Sequence, residues 1–427
     1  MRIFLSLLLL SATVSRADTL SLPDPLTLEF ATAQASAENH YQIIEAAASL
    51  EQAQSRVHHA QSLSEWQAKL ELQVSVFEPS PLAVDQSTDE FGTRLHIEKL
   101  LYDFGRSTLL QESAGLQHDA VQNYLSYVLD QRRLEITRQF LAVLLADLKF
   151  SHDQEAMDIA WVQHDNAKEK HALRQLSDVD LLAIENQYQN LRYQRLQSES
   201  YQRSTRTQLA EMINRPGELA SNLQRPVFLL QRELPDYQQL VDAALAKNAR
   251  LHLLQAGVSA AQKKMESAQH QTRPSLNAEM DLMDSSVERS SQDDWRASLI
   301  LTIPLLEQQS VKAQVSAERS QWMLQRAMLL QEQAYVRQRV LWLWQQIQLL
   351  NTRLQQIRIA ADYNELYLDR SRALYELEVK TDLGDAMVAM SETRYQQAQV
   401  EFDLALAWME LDMMSRFLPA TKAEQGK

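Results

Sequence analysis

Two long stretches of this sequence, 116–215 and 305–383, contain neither glycine nor proline. Those two residues are the strongest interruptions of regular backbone structure, and the whole chain holds only 7 Gly and 10 Pro. The stretches are rich in Leu, Gln, Ala, Glu and Arg, which lose little rotamer freedom on entering a helix. Apolar side chains recur in them at helical spacing, as at Leu134, Phe140, Leu141, Leu144 and Leu145, and at Leu343, Ile347, Leu350 and Leu354. Each stretch predicts a helix of roughly 80 Å or more at 1.5 Å per residue. Helices that long belong to coiled coils and stacked bundles.

Four segments break the helical pattern. Residues 69–77 (Lys69 to Phe77) place an apolar side chain at every second position, and residues 93–98 (Thr93 to Glu98) alternate again. At 275–282, Leu276, Ala278, Met280 and Leu282 alternate with Asn277, Glu279 and Asp281; at 295–303, Trp295, Ala297, Leu299, Leu301 and Ile303 share one face. A period of two predicts strands with one apolar and one polar face. Polar, breaker-rich stretches from Glu78 to Glu90 and from Asp284 to Asp294 make each pair a hairpin.

A shift of about 204 residues, a period read as in repeat proteins, superposes the two hairpins in phase. Leu72 falls on Leu276, Leu95 on Leu299, Ile97 on Leu301, Leu101-Tyr102-Asp103 on Leu305-Leu306-Glu307, and Ser177-Asp178-Val179 on Thr381-Asp382-Leu383. The chain therefore reads as an internal duplication of helix, strand, strand, long helix and helix. The first copy spans 18–225, with a stop signal at Arg215-Pro216-Gly217, and the second spans 226–417, before a polar tail at 418–427.

Met1-Arg2, the apolar run Ile3 to Leu10 and the small residues around Ala17 predict an export signal over 1–17. That run is short of the roughly 20 residues a membrane-spanning helix needs. With no cysteine, the chain has no disulfide, no thiolate metal site and no lipid-accepting cysteine. The 42 Lys and Arg against 56 Asp and Glu give a net charge of −14, which argues against a nucleic-acid partner.

The four amphipathic strands suit the tilted wall of a membrane barrel, whose strands take roughly 9–11 residues. The lipid face would then carry Leu72, Val74, Val76, Leu95, Ile97, Leu276, Leu299 and Leu301, and the lumen face Glu71, Gln73, Arg94, His96, Glu98, Asn277, Glu279 and Arg296. Four strands cannot close a barrel, since single-chain barrels begin at about 8, and an open edge in lipid leaves backbone groups unsatisfied. Other copies must complete it. A trimer of twelve strands is the simplest closure, and a dimer also satisfies the count. The competing reading is a small sheet capping a soluble helical bundle.

Several motifs, in order along nearly the whole chain, resemble the TolC family of outer-membrane efflux proteins. They are Leu26-Thr27-Leu28-Glu29-Phe30-Ala31 followed by Ala37-Glu38-Asn39, Leu101 to Arg106, Leu209 to Gly217, Ala268 to Leu276, and Ile303-Pro304-Leu305-Leu306. The resemblance implies a mainly α fold with a β-barrel portion. A long coiled-coil helical tunnel in the periplasm would join four strands per chain, closing as a twelve-strand barrel in a homotrimer. It further implies a passive outer-membrane duct of a tripartite efflux or type I secretion system, docked to a periplasmic adaptor (membrane fusion) protein and an inner-membrane pump of RND or ABC type.

In that family the periplasmic tip narrows beside acidic residues. Here Asp180 matches the acidic position, with Asp178 beside it, and the second copy carries Gly384 there, between Asp382 and Asp385. The family's glycine before this turn is replaced by Arg174 and Glu378. Threefold repetition of these aspartates would make a cation-selective constriction; alternatively Ser177, Asp178, Thr381 or Asp382 serves as a helix cap.

His58-His59 and His152-Asp153 lack a convergent third metal ligand, and their histidines are expected at the surface. Trp342 and Trp344 are expected to pack between helices. No phosphate loop, nucleophile elbow or metalloprotease motif is present. An enzyme, a cofactor and a resident metal are therefore not expected. The reading that competes with a channel is a soluble periplasmic coiled-coil scaffold or adaptor.

Overall fold

The computed structural model describes residues 22–35, 40–82, 85–218, 220–287, 293–305, 308–377, 379 and 382–415. The expected export signal at 1–17, Ala37-Glu38-Asn39, Leu306-Glu307, Glu378, Thr381 and the tail at 418–427 lie outside the described residues. Along the chain run α1 (Leu28–Ala35), α2 (Tyr41–Ser62), β1 (Gln67–Val76), β2 (Asp89–Tyr102), α3 (Arg106–Ala172), α4 (Asp178–Met212), α5 (Tyr237–Lys247), α6 (Ala249–Gln269), β3 (Ser275–Ser285), β4 (Trp295–Thr302), α7 (Gln308–Glu376) and α8 (Leu383–Ser415). The two breaker-free stretches do form the longest helices: α3 has 67 residues and α7 has 69. Within 116–215, the helix is interrupted once without a breaker, at 173–177.

The strands form one antiparallel sheet in the order β1-β2-β3-β4. Each pair of alternating segments is a hairpin, and β2 pairs with β3 to join the hairpins into one sheet. β2 is longer than its alternating stretch of 93–98. It continues to Tyr102 although Lys99 stands at an apolar-face position, because its ladder with β3 runs on past Glu98, where pairing with β1 ends, and backbone bonds hold it beyond its side-chain pattern. A register shift between Leu100 and Tyr102 ends the ladder near α3. β1 stops at Val76; Phe77, expected in the strand, donates its N–H to the Thr88 carbonyl at 2.9 Å in the turn.

The described residues fall into two compact units. One comprises residues 1–35, 136–228 and 371–395. It buries Leu26, Ile136, Phe140, Leu141, Leu209 and Ile213 almost completely. Arg206 grips Asp147 through both terminal nitrogens. α4 ends ahead of Arg215-Pro216-Gly217, as expected of a helix approaching proline; Asn214 takes the left-handed conformation (φ 58°), and Arg215 N–H closes onto the Ala210 carbonyl at 2.8 Å.

The other unit comprises residues 36–135, 229–370 and 396–427 and contains the sheet. Its core joins α5, α7 and α8, with Leu251 of α6. Val336, Val340, Leu343, Ile347, Leu354 and Ile357 of α7 are buried, with Leu350 partly so, an alternating four-and-three spacing of coiled-coil type. Two carboxylates of α8 are held in forked geometry, Asp412 by Arg232 (2.8 and 2.9 Å) and Glu410 by Arg339 (2.6 and 2.8 Å). Trp344 packs as expected, donating Nε1–H to the Pro235 carbonyl at 3.1 Å, whereas Trp342 is half exposed beneath the Arg339 guanidinium.

α2 begins at an unusual cap. His40, almost fully buried, accepts the Gln42 N–H on Nδ1 at 3.3 Å, which requires that nitrogen to be unprotonated. Burial and the nearby Arg132 guanidinium push the imidazole below its ordinary value, with Glu135 opposing. The folded chain thus binds the proton more weakly than the unfolded chain. The stabilisation is complete above the ordinary histidine value of about 6.5 and is lost as pH falls from there toward the folded value. His40→Asn keeps a cap that does not titrate. We expect it to flatten the pH dependence of thermal stability between roughly pH 5 and 7, the difference from the parent at pH 5 reaching the size of one lost cap, about 1 kcal/mol. Melting curves of both proteins across that range check this.

Candidate functional site

Strand register decides which side chains share a face. Glu71 lies opposite Arg94, and Lys69 opposite His96; His96 in turn lies opposite Asp281, Glu98 opposite Glu279, and Asp281 opposite Arg296. Because successive side chains alternate, Glu71, Gln73, Arg94, His96, Glu98, Asn277, Glu279 and Arg296 all stand on one face of the sheet. The other face carries Leu70, Leu72, Val74 and Val76 of β1, Leu95 and Ile97 of β2, Leu276, Met280 and Leu282 of β3, and Leu299 and Leu301 of β4. Asp89, Thr93, Lys99 and Asp284 are the polar exceptions there. Leu72 is 65%, Val76 83% and Leu299 72% exposed, so this apolar face is uncovered in the single chain.

The polar face is organised around Asp281. Arg94 reaches the same carboxylate oxygen with Nε and a terminal nitrogen, both at 2.8 Å, and the His96 Nδ1 approaches it at 2.8 Å. Asn277 donates to Glu98 at 3.1 Å. Glu98 and Glu279 are direct cross-strand neighbours, an arrangement of like charges that costs stability. Asp281 was not among the expected lumen residues, although its place in the alternation, two positions past Glu279, carried the signal. Met283, Ile300 and Leu100 also occupy the polar face, so the alternation is not strict at its ends.

At the far ends of the long helices the acidic candidates separate into different environments. Ser177 caps α4: its Oγ accepts the Asp180 N–H at 3.2 Å and donates to the Asp180 carboxylate at 2.7 Å. Asp178, in the first turn of α4, meets His171 Nε2 in the last turn of α3 at 2.6 Å. The Asp178 carboxylate sits at the helix end that favours its charge. Arg174, in the position of the family's glycine, adopts φ 61°, and the bonds Arg174 N–H to His171 O and Gln175 N–H to Lys170 O, both 2.8 Å, complete a Schellman stop. The turn geometry is therefore kept without glycine.

The second copy differs. Asp382 immediately precedes α8 and its carbonyl accepts from Ala386 N–H at 3.1 Å, while Asp385 is exposed in the first turn. Gly384 faces α3. A Cβ there would lie 3.0 Å from Ile159 Cγ2, so a side chain at the counterpart of Asp180 requires Ile159 to give way by a few tenths of an ångström. His152, expected at the surface, is mostly enclosed between α3 and α8, bonded to Ser391 Oγ at 3.1 Å and Glu392 at 3.0 Å. Its neighbour Asp153 is buried against Lys149 at 2.8 Å. His152 was misplaced because a polar helix–helix seam has the same local composition as a solvated face.

Among the described residues, no three or more His, Asp or Glu converge as metal ligands, and no helix is long and apolar enough to cross a membrane. No protein-family model matches the chain, and no curated relative matches it in sequence. Solved structures do match. The Vibrio cholerae outer membrane protein VceC is 14% identical at a TM-score of 0.70, over 90% of this chain and 94% of its own. The Campylobacter jejuni CmeC outer membrane channel is 11% identical at 0.75, over 91% and 85%. The open state of the Neisseria gonorrhoeae MtrE outer membrane channel is 14% identical at 0.72, over 91% and 88%. The fold is that of the outer-membrane factor channels, the TolC-type architecture.

The tip geometry predicts an asymmetry between the copies. Gly384→Asp drives a carboxylate into the Ile159 side chain and should lower stability by about 1–3 kcal/mol, with part of the loss recovered when Ile159→Ala is added. Asp180→Gly removes an exposed first-turn charge and should cost about 1 kcal/mol. Denaturant midpoints of these variants test the difference.

Proposed function

We propose that this chain is an outer-membrane channel, a passive exit duct that works as a homotrimer with its helical part in the periplasm. The observation that carries the reading is the sheet: one exposed apolar face, one charged face, and two outer strands, β1 and β4, each with a single neighbour. In hydrocarbon such edges are untenable unless another strand pairs with them. Twelve strands from three copies close the ring, with Glu71, Gln73, Arg94, His96, Glu98, Asn277, Glu279 and Arg296 toward the lumen and the opposite face in outer-membrane lipid. We take residues 18–225 and 226–417 to be the duplicated units behind an export signal at 1–17.

Two further features support this. The apolar run on β1 centres near Leu72, whereas that on β4 centres near Ser298, which lies level with Gln67. A drift of about five positions at ~3.3 Å each, across three strand spacings of ~4.8 Å, inclines the apolar band by on the order of 50° to the ladder. Barrel strands tilt by roughly 35–45°, so the band would lie level in a membrane. On α7, opposite its buried seam, Met328, Tyr335, Trp342, Leu349 and Tyr363 are exposed at multiples of seven residues. That is a second coiled-coil stripe, suited to a neighbouring copy.

The trimer docks on a periplasmic adaptor and serves an inner-membrane pump of RND or ABC type, in efflux or in type I secretion. Acidic groups outnumber basic ones on the lumen face, and Asp178, Asp180, Asp382 and Asp385 add to them at the tip. The pore therefore favours cations.

Extraction from outer membranes only by detergent, as a heat-stable trimer, is the expected outcome. Recovery in osmotic-shock fluid would instead favour a soluble periplasmic scaffold. In planar bilayers the channel should pass cations over anions. Asp178→Asn with Asp180→Asn should reduce that preference; an unchanged reversal potential removes those two residues from the constriction.

A further inference from the structure

The apolar face of the sheet is not smooth. A depression of ≈ 790 Å³ lies on it, formed by Trp66, Ile97, Ala278, Met280, Ala297 and Leu299 together with backbone. Its volume falls within the range of ligand pockets, about 300–1,000 Å³. The floor exists because alanines occupy adjacent strands at Ala278 and Ala297, while larger side chains rise on either side. At the end nearest the helices its rim carries a cation. Lys99, the direct cross-strand partner of Ala278, holds its ammonium 4.9 Å from the centre of the Trp66 ring.

A lysine on the lipid face of a barrel is costly at mid-membrane and nearly neutral at the headgroup level. An amphipathic indole also settles at that level. The Lys99–Trp66 pair therefore marks where the sheet passes from hydrocarbon to headgroups, and the trough beside it points into the hydrocarbon. A cation at the rim and an apolar slot running inward match one ligand class: a lipid with an anionic headgroup and a long acyl chain. A zwitterionic lipid fills the slot equally well but sets its own positive group against Lys99.

We propose that this trough is a binding site for an anionic phospholipid of phosphatidylglycerol type, with the phosphate on the Lys99 ammonium beside Trp66 and one acyl chain lying over Ala278 and Ala297. The site rests on the membrane reading of the sheet. It goes beyond that reading by assigning a headgroup charge and a place.

Native mass spectrometry of the detergent-extracted protein, given equal phosphatidylglycerol and phosphatidylcholine, tests it. The unmodified protein should retain phosphatidylglycerol over phosphatidylcholine by roughly five-fold, the effect expected of one lysine at a membrane surface. Lys99→Gln should bring that ratio close to one, Lys99→Arg should preserve it, and Ala278→Phe should reduce retention of both lipids by filling the slot. Lys69→Gln, on the opposite face, should leave the ratio unchanged. An equal ratio in the unmodified protein and Lys99→Gln overturns the proposal, as does an equal loss in Lys69→Gln. Either outcome, obtained with protein extracted from outer membranes, leaves the channel reading standing; protein found free in the periplasm ends both.

Discussion

The backbone hydrogen bonds at the two edges of a four-strand sheet govern the rest of this molecule. β2 and β3 are paired on both sides, but β1 and β4 each leave one row of N–H and C=O groups open. In water such a row would be solvated, and the apolar side chains on one face would be the anomaly. In lipid those side chains are at home and the open rows become the anomaly. No environment satisfies both features in a single copy. In the channel reading proposed above, assembly into a closed ring does, and oligomerisation then follows from the sheet.

A good part of this was legible in the residues. Long helices followed from the absence of breakers, because nothing else competes with helix formation in a Leu-, Ala- and Gln-rich stretch. The four strands followed from a period of two, and their polar faces emerged together because alternation transmits across antiparallel partners without loss of phase. Pairing between β2 and β3 was less accessible. Their partners lie far apart in sequence, and no turn residue announces the contact. The same distance hid Asp281. Its role depends on lying opposite His96 and one position diagonal from Arg94, which only register can reveal.

The helix ends show the complementary failure. Arg174 reads as a departure from a glycine turn, yet it takes the left-handed conformation itself, held by two Schellman hydrogen bonds. The strain of a non-glycine residue there, of order 1 kcal/mol or more, is borne by a helix that is otherwise long and well anchored. At Gly384 the reasoning runs the other way. Glycine in place of an acidic residue looks like divergence of a pore, whereas the Ile159 side chain lies so near that any larger residue has to displace it. Local sequence records which residue is present; whether it lines a void or fills one depends on the helix packed against it.

On the proposed duplication, the two copies share a frame and still divide their duties. The strand faces had to stay in phase, because a slip of one residue would turn every apolar side chain of a hairpin toward the polar side. The helix tips carry no such demand, since a helix rotates its face gradually and a cap can be built from several residue types. Asp180 stands at an exposed, capped N-terminus in the first half of the chain, while Gly384 in the second is a contact point on α3. If acidic groups do narrow the tip, the first copy therefore supplies the better placed pair, and the second contributes through Asp385, one residue beyond the packed glycine.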